Sequence, residues 1–256
     1  MDKLLQEQAV AETAKAVNGA FQHPFTCIVS GPSGSGKTTF VANLLTSRTL
    51  VDTTFTHISI YIGTRLRDNP IFEKLLHTFG SSVMRVVEVN TVYSEQKKLQ
   101  ETFASDFVRD MLQLGPNGCV IFDDLMQELS SANILADLFS KHSSHLGISV
   151  LHLTQNIFHS GKKQTEHRTV YINSHHLVLF KLPLDSTVFS NLAKRLSGGD
   201  RKQYKSILKL MHDVTDRFRY IIVSGNLKRN NLIRYTSDIF NTEPFPYQRV
   251  FIPTAD

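Results

Sequence analysis

Cysteine is scarce. Cys27 and Cys119 are the only two in the chain, each inside an apolar run, which argues against a disulfide framework and for small core residues in a reducing, intracellular compartment. Long apolar runs are also missing. No window approaches the roughly 20 apolar residues of a membrane-spanning helix. The start of the chain, MDKLLQEQAVAETAKAV, carries acidic residues where a secretory leader would be apolar. A soluble protein without a membrane partner is expected. Internal repeats and low-complexity segments are absent, and charge of one sign does not dominate: a net +5 over 256 residues gives only a mild bias toward a polyanionic partner such as nucleic acid or nucleotide. At 41% hydrophobic and 20% charged, the composition suits one large α/β domain.

What is present alternates. Leu4, Leu5, Ala9, Val10, Ala14 and Val17 recur at helical spacing before Asn18-Gly19, which predicts an amphipathic helix over residues 1–18. Apolar, β-rich runs follow at 25–30, 57–63, 83–89, 118–123, 148–154 and 175–182, nearly continuous as in strands covered on both faces. Helical periodicity fills 37–47, 69–79, 94–114, 130–143 and, in two pieces, 185–212. Such alternation predicts right-handed crossovers and a central, mostly parallel sheet with helices on both faces. FRYIIVSG (218–225) and NLIRYTS (231–237) predict a late β-hairpin. The expected core runs over 19–240, and the tail over 241–256, with its three prolines, is expected to lie extended on the surface or on a partner.

GPSGSGKT follows the first of these strands directly and opens a helix, the setting in which G-x-x-x-x-G-K-[ST] cradles a nucleotide phosphate. Glycines Gly31, Gly34 and Gly36, with Pro32, Ser33 and Ser35 between them, let backbone N–H groups turn inward toward the phosphate, and the helix N-terminus adds its positive end. Lys37 is placed to reach the β and γ oxygens and the Thr38 hydroxyl to ligate Mg²⁺, with Thr39 closing the loop. ATP and Mg²⁺ are the expected ligands.

The second half of such a site is a carboxylate at the C-terminal end of a buried strand next to the phosphate-loop strand. Asp123, at the end of GCVIFDD, fits that position as a metal holder, and Asp124 fits a general base for the attacking water or, alternatively, a helix N-cap. ISVLHLTQN ends in Gln155, on the strand edge where ligands gather in parallel sheets, as a sensor of the γ-phosphate or an ordinary strand-end amide. No N-K-x-D stretch follows, which disfavours a guanine nucleotide. A nucleoside or nucleotide kinase and a nucleotide-gated scaffold remain as alternatives to a hydrolase. The paired aspartates and Gln155 suit water activation better than transfer to a bound acceptor.

The blocks GPSGSGKT, IFDDLM, FSKHSSHLGISVLHLTQNIF and RTVYINSHHLVLFKLPLD, in this order, resemble the FtsK/HerA-type genome-packaging ATPases of large DNA viruses and virus-like transposons, above all the adintovirus and Polinton/Maverick group, with poxvirus packaging ATPases as more distant relatives. The resemblance spans roughly 25–240. It implies a RecA-like P-loop fold and a homo-oligomeric ring that drives double-stranded DNA into a preformed capsid. It also implies work inside the host cell, in nucleus or cytoplasm, with transient contact at the capsid or portal vertex. By the same resemblance Lys37 and Thr38 bind phosphate and Mg²⁺, Asp123 holds the metal, Asp124 is the catalytic carboxylate and Gln155 the sensor. The wider superfamily usually carries Glu where this chain has Asp124.

Ring ATPases of this kind usually insert a neighbouring subunit's arginine into the site. The segment before the sensor strand, Lys141-His142-Ser143-Ser144-His145, has none, leaving Arg168 and Lys141 as the candidate trans cations. RLSGGDRKQ resembles the signature loop of transporter ATPases but follows the acidic strand where that loop precedes it, so Gly198-Gly199 is read as a break between helices. His142/His145 and His175/His176 lack zinc-finger spacing. The basic group Lys194, Arg195, Arg201, Lys202, Lys205 and Lys209 reads as a solvated helix face or as charges that track DNA phosphates. Loop 157–168, with Lys162, Lys163 and Arg168, is the preferred pore segment.

Overall fold

A computed structural model of the protein describes residues 20–89, 107, 109–125, 134–158, 164–183, 185, 187–218, 220–225, 234–241 and 247–253. The helix expected over 1–18 lies outside them. A nine-stranded sheet runs through the described residues in the order β3-β2-β4-β5-β1-β6-β7-β8-β9. Its strands are β1 Thr26–Ser30, β2 His57–Ile62, β3 Met84–Glu88, β4 Gly118–Asp123, β5 Ile148–Thr154, β6 His176–Phe180, β7 Tyr220–Ser224, β8 Tyr235–Asn241 and β9 Tyr247–Phe251. The first six pair in parallel throughout, as the crossover pattern requires. The last three are antiparallel, beginning with β7 against β6.

Helices connect them: α1 Lys37–Thr46, α2 Pro70–Phe79, then α3, built from Ile134–Asp137, a π-helical turn Leu138–His142 and Ser143–Leu146. α4 Gln164–Ile172, α5 Thr187–Leu196 and α6 Arg201–Phe218 follow. A further helical stretch covers 109–114. Asn69 starts α2 because its side chain accepts from the Phe72 N–H and Pro70 supplies a fitting first-turn φ. Between α5 and α6 the chain turns through Gly198 and Gly199, both at positive φ, after which Asp200 caps α6 by accepting from the Lys202 and Gln203 N–H groups at 2.7 and 3.0 Å. The glycine pair is a helix break, as expected.

Side-chain alternation splits the core into two layers. Cys27, Val29, Ile121 and Leu153 point to the face packed by Phe40 and Leu44 of α1 and Phe72 and Leu75 of α2. Ile28, Val120 and Phe122 point to the other face, against Leu138 of α3, Phe189 of α5 and Met211 of α6. Each such side chain, fully buried, contributes about 1.5–3 kcal/mol. Both cysteines are free and buried, with burial pushing their thiols up. His175 accepts the Thr26 N–H at 3.0 Å, and the buried His176 ring packs 4.5 Å from Phe21, so both serve the fold.

Three expectations need correction. β4 does not adjoin β1: β5 pairs with both, so Asp123 sits one strand further from the phosphate loop than expected. Non-local pairing decides that order, and no local pattern encodes it. The sheet does not end at 240, because residues 247–251, between the prolines of the tail, pair with β8 as a ninth strand. Finally, α4 begins at Gln164, so the second part of the expected 157–168 loop is helical, while 159–163 lie outside the described residues.

Candidate active site

The C-terminal ends of the parallel strands build the site. β5 ends between its two neighbours, and both are hydrogen-bonded to its last residues. The Gly31 N–H donates to the Thr154 carbonyl at 3.1 Å, and the Asp124 N–H donates to the Leu153 carbonyl at 3.4 Å. Gln155 follows immediately. Thus β5, whose place between β1 and β4 the sequence did not reveal, is what holds the phosphate loop, the second aspartate and Gln155 at one edge.

Within the loop, Gly34 and Gly36 take φ of 75° and 104°, open to glycine and strained for other residues. Gly31 is needed for space: a Cβ there would lie 2.6 Å from the Phe180 Cβ. Phe180, at the end of β6, is therefore the floor of the loop, and nothing local in the sequence marks it. The Lys37 ammonium donates to the Gly31 and Pro32 carbonyls at 2.8 and 3.0 Å, arching the side chain over the loop. The Ser35 Oγ is buried with no hydrogen-bond partner. A buried hydroxyl donor in a loop of inward N–H groups fits a phosphate.

Asp123 is largely buried, and desolvation pushes its carboxyl up to about 6 against the opposing pull of Lys37, with Asp124 adding to the rise. Burial lowers the Lys37 ammonium, opposed by both aspartates. The three groups thus feel one another across the site. Asp124 is exposed and takes a left-handed backbone, φ 56°, a region that Asp and Asn enter more readily than most residues. The Gly63 N–H donates to the Asp123 carbonyl at 3.1 Å and braces the same turn.

These pieces line a single cleft of about 320 Å³: Ser33, Gly34, Gly36, Lys37, Thr38 and Thr39 on one side, Asp123, Asp124 and Gln155 on another. Its remaining wall is Thr64, Asp68, Asn69 and Ile71, from the β2–α2 connection, which sequence reasoning missed. Only the Asn69-Pro70 helix start hinted that this segment is held in place. The Glu88 carboxylate at the end of β3 fixes it by accepting the Leu66 N–H at 2.7 Å. Arg168 and Lys141 do not line this cleft. Arg168 is exposed on α4, and Lys141 is exposed on the π-helical turn, 3.6 Å from Asp137.

A direct search of curated protein sequences returns no match. Among solved structures, the chain is similar to the genome packaging NTPase B204 of Sulfolobus turreted icosahedral virus 2, solved with ATPγS, at 11% identity and TM-score 0.45 over 90% of this chain and 98% of that one. It is also similar to the KaiC-like protein PH0186 of Pyrococcus horikoshii OT3, at 11% identity and TM-score 0.45 over 90% and 91%. A third likeness is to the N-terminal domain of the zonular occludens toxin of Neisseria meningitidis, at 14% identity and TM-score 0.36 over 63% and 78%. The family model described as Poxvirus A32 protein matches residues 16–239. That match takes in β1 through most of β8 and every wall of the cleft, and the chain belongs to the poxvirus A32 protein family of packaging ATPases.

Proposed function

We propose that the protein hydrolyses ATP in this cleft and couples turnover to movement of double-stranded DNA into a capsid. One observation carries the reading: Lys37, Asp123, Asp124 and Gln155 line the same cleft at the end of β5. The triphosphate enters the loop from Gly31 to Thr39, where Lys37 exchanges its loop carbonyls for the β and γ oxygens. Thr38 and the carboxylate of Asp123, the most buried charge at the site, are the groups that would hold Mg²⁺, which when bound neutralises charge on those oxygens. Asp124 takes a proton from the water as its oxygen bonds the γ-phosphorus and the bond to the β-phosphate oxygen breaks, releasing ADP and phosphate. Gln155 orients that water through its amide.

Arg168 or Lys141 of an adjoining copy in a homo-oligomeric ring supplies a second cation beside Lys37, which is the one cation lining the cleft among the described residues. Ordering and release of the segments around the γ-phosphate then drive the DNA stroke, with the ring seated at a capsid or portal vertex. Phosphate release, measured with and without duplex DNA and over a range of protein concentrations, tests the proposal. Stimulation by DNA and a specific activity that rises with concentration are expected, both absent in Lys37→Ala. Turnover indifferent to DNA and to concentration, or phosphate appearing on an added nucleoside, contradicts it.

A further inference from the structure

Away from the nucleotide cleft, α6 and the end of β9 border two adjoining open depressions of about 570 and 550 Å³, which share Lys202, Ser206, Ile252 and Pro253 as lining residues. Lys205 and Lys209 line one and Arg234 the other. Lys202, Lys205 and Lys209 fall at i, i+3 and i+7, on one exposed face of α6, so the three ammonium groups are spread along roughly 10 Å of helix. Two carboxylates share the lining, Asp200 and Asp213, but Asp200 is occupied as the cap of α6. The floor beside the lysines is apolar: Ile252 is 56% exposed, one of the few large hydrophobic side chains left open to solvent among the described residues.

We infer that this groove seats the phosphate backbone of double-stranded DNA, independent of base sequence. The inference rests on the proposed function and gives its DNA partner a surface. Duplex DNA presents one charge per about 1.7 Å of axis, a density that a row of lysines meets as point charges without demanding a fixed angle. Four cations, Lys202, Lys205, Lys209 and Arg234, against two carboxylates leave the lining net positive, the sign that phosphates require. The helix face that the sequence left as either solvated or phosphate-tracking is one wall of a basic groove, whose other wall, Arg234 with Ile252 and Pro253, comes from a distant part of the chain.

The test uses the full chain and a labelled duplex of about 30 base pairs, with binding followed by anisotropy between about 50 and 300 mM salt. Replacing Lys202, Lys205 and Lys209 together by alanine is expected to weaken binding at low salt and to flatten the slope of log K against log salt by about 3, or 0.9 per lost phosphate contact. DNA-stimulated phosphate release falls with it, while DNA-free release stays at the wild-type rate and reports an intact fold. Lys205→Ala alone, should the triple variant fold poorly, is expected to flatten the slope by about 1. The arginine triple variant keeps wild-type binding. An unchanged slope and affinity in the alanine variants, with a wild-type protein that binds duplex and is stimulated by it, overturns the groove and leaves the proposed function standing. A wild-type protein that neither binds duplex nor responds to it overturns both. Competition by polyglutamate as effective as duplex at equal charge also overturns the inference, by pointing to an acidic protein segment.

Discussion

Gly63 stands against Asp124 so closely that a Cβ at position 63 would lie 2.8 Å from the Asp124 carbonyl oxygen. This contact, between the end of β2 and the turn after β4, sets where the proposed catalytic carboxylate emerges. Gly63→Ala must push the turn aside. Since a displacement of about 1 Å at a reacting group can cost up to 100-fold in rate, we expect kcat to fall at least tenfold. Nucleotide affinity, set mainly by the loop from Gly31, should change less than about twofold. Steady-state kinetics beside equilibrium binding of a fluorescent ATP analogue make the comparison. A variant with unchanged kcat removes Gly63 from the account.

The left-handed backbone at Asp124 explains an aspartate where a glutamate is usual in the resemblance drawn from the sequence. Asn tolerates this region as well as Asp, so Asp124→Asn should fold with unchanged Tm, bind ATP, and lose hydrolysis. Asp124→Glu meets a backbone cost of about 1 kcal/mol and moves the carboxylate one methylene outward, and should lose both stability and rate. Thermal melts with single-turnover assays separate the two. Normal turnover by Asp124→Asn reduces the residue to a turn former.

Burial raises the Asp123 carboxyl to about 6, above its ordinary 3.8. Between those values the folded protein binds more protons than the unfolded chain, so stability is greatest below about pH 4 as far as this group is concerned and declines as pH rises toward 6. In nucleotide-free protein kept in chelator, Asp123→Asn should remove that decline and raise stability at pH 7.5 by about 2–3 kcal/mol. Urea unfolding from pH 4 to 7.5 reads it. A wild-type protein whose stability rises through this window, with no gain in the variant, contradicts the assignment of Asp123 as a desolvated charge awaiting a cation.

Much of the fold was legible because its signals are local. Near-continuous apolar runs gave β1 to β6, and the Gly198-Gly199 break and the apolar runs of β7 and β8 were equally plain. That the phosphate loop, Asp123, Asp124 and Gln155 meet at one sheet edge was legible for the same reason. What was hidden is non-local. Nothing near Asp123 says that β5 lies between it and the phosphate loop, and nothing near Gly31 names Phe180 as its floor. β9 was obscured because proline flanks the strand, though pairing with β8 needs donors only between them. The wall from Thr64 to Ile71 carries no motif, and its place depends on Glu88 reaching back from another strand.

Arg195, at the end of α5, lies 4.6 Å from the Phe158 ring centroid and 5.0 Å from that of Tyr171. It ties α5 to the segment that follows Gln155, where the Phe158 N–H donates to the Asn156 side chain at 2.9 Å. Losing both ring contacts should cost about 1 kcal/mol, so Arg195→Ala should lower the urea midpoint by about 0.3–1 M, with Arg195→Lys in between. Equal midpoints for all three proteins dismiss the cluster as surface contact.

The most direct measurement of the central claim is displacement of a third strand from a triplex by the advancing protein. With ATP, the wild-type protein should strip the third strand at a rate that follows phosphate release, and neither ATPγS nor Lys37→Ala should support displacement. DNA-stimulated hydrolysis without any displacement would contradict the account, leaving a DNA-dependent ATPase that does not move along its substrate.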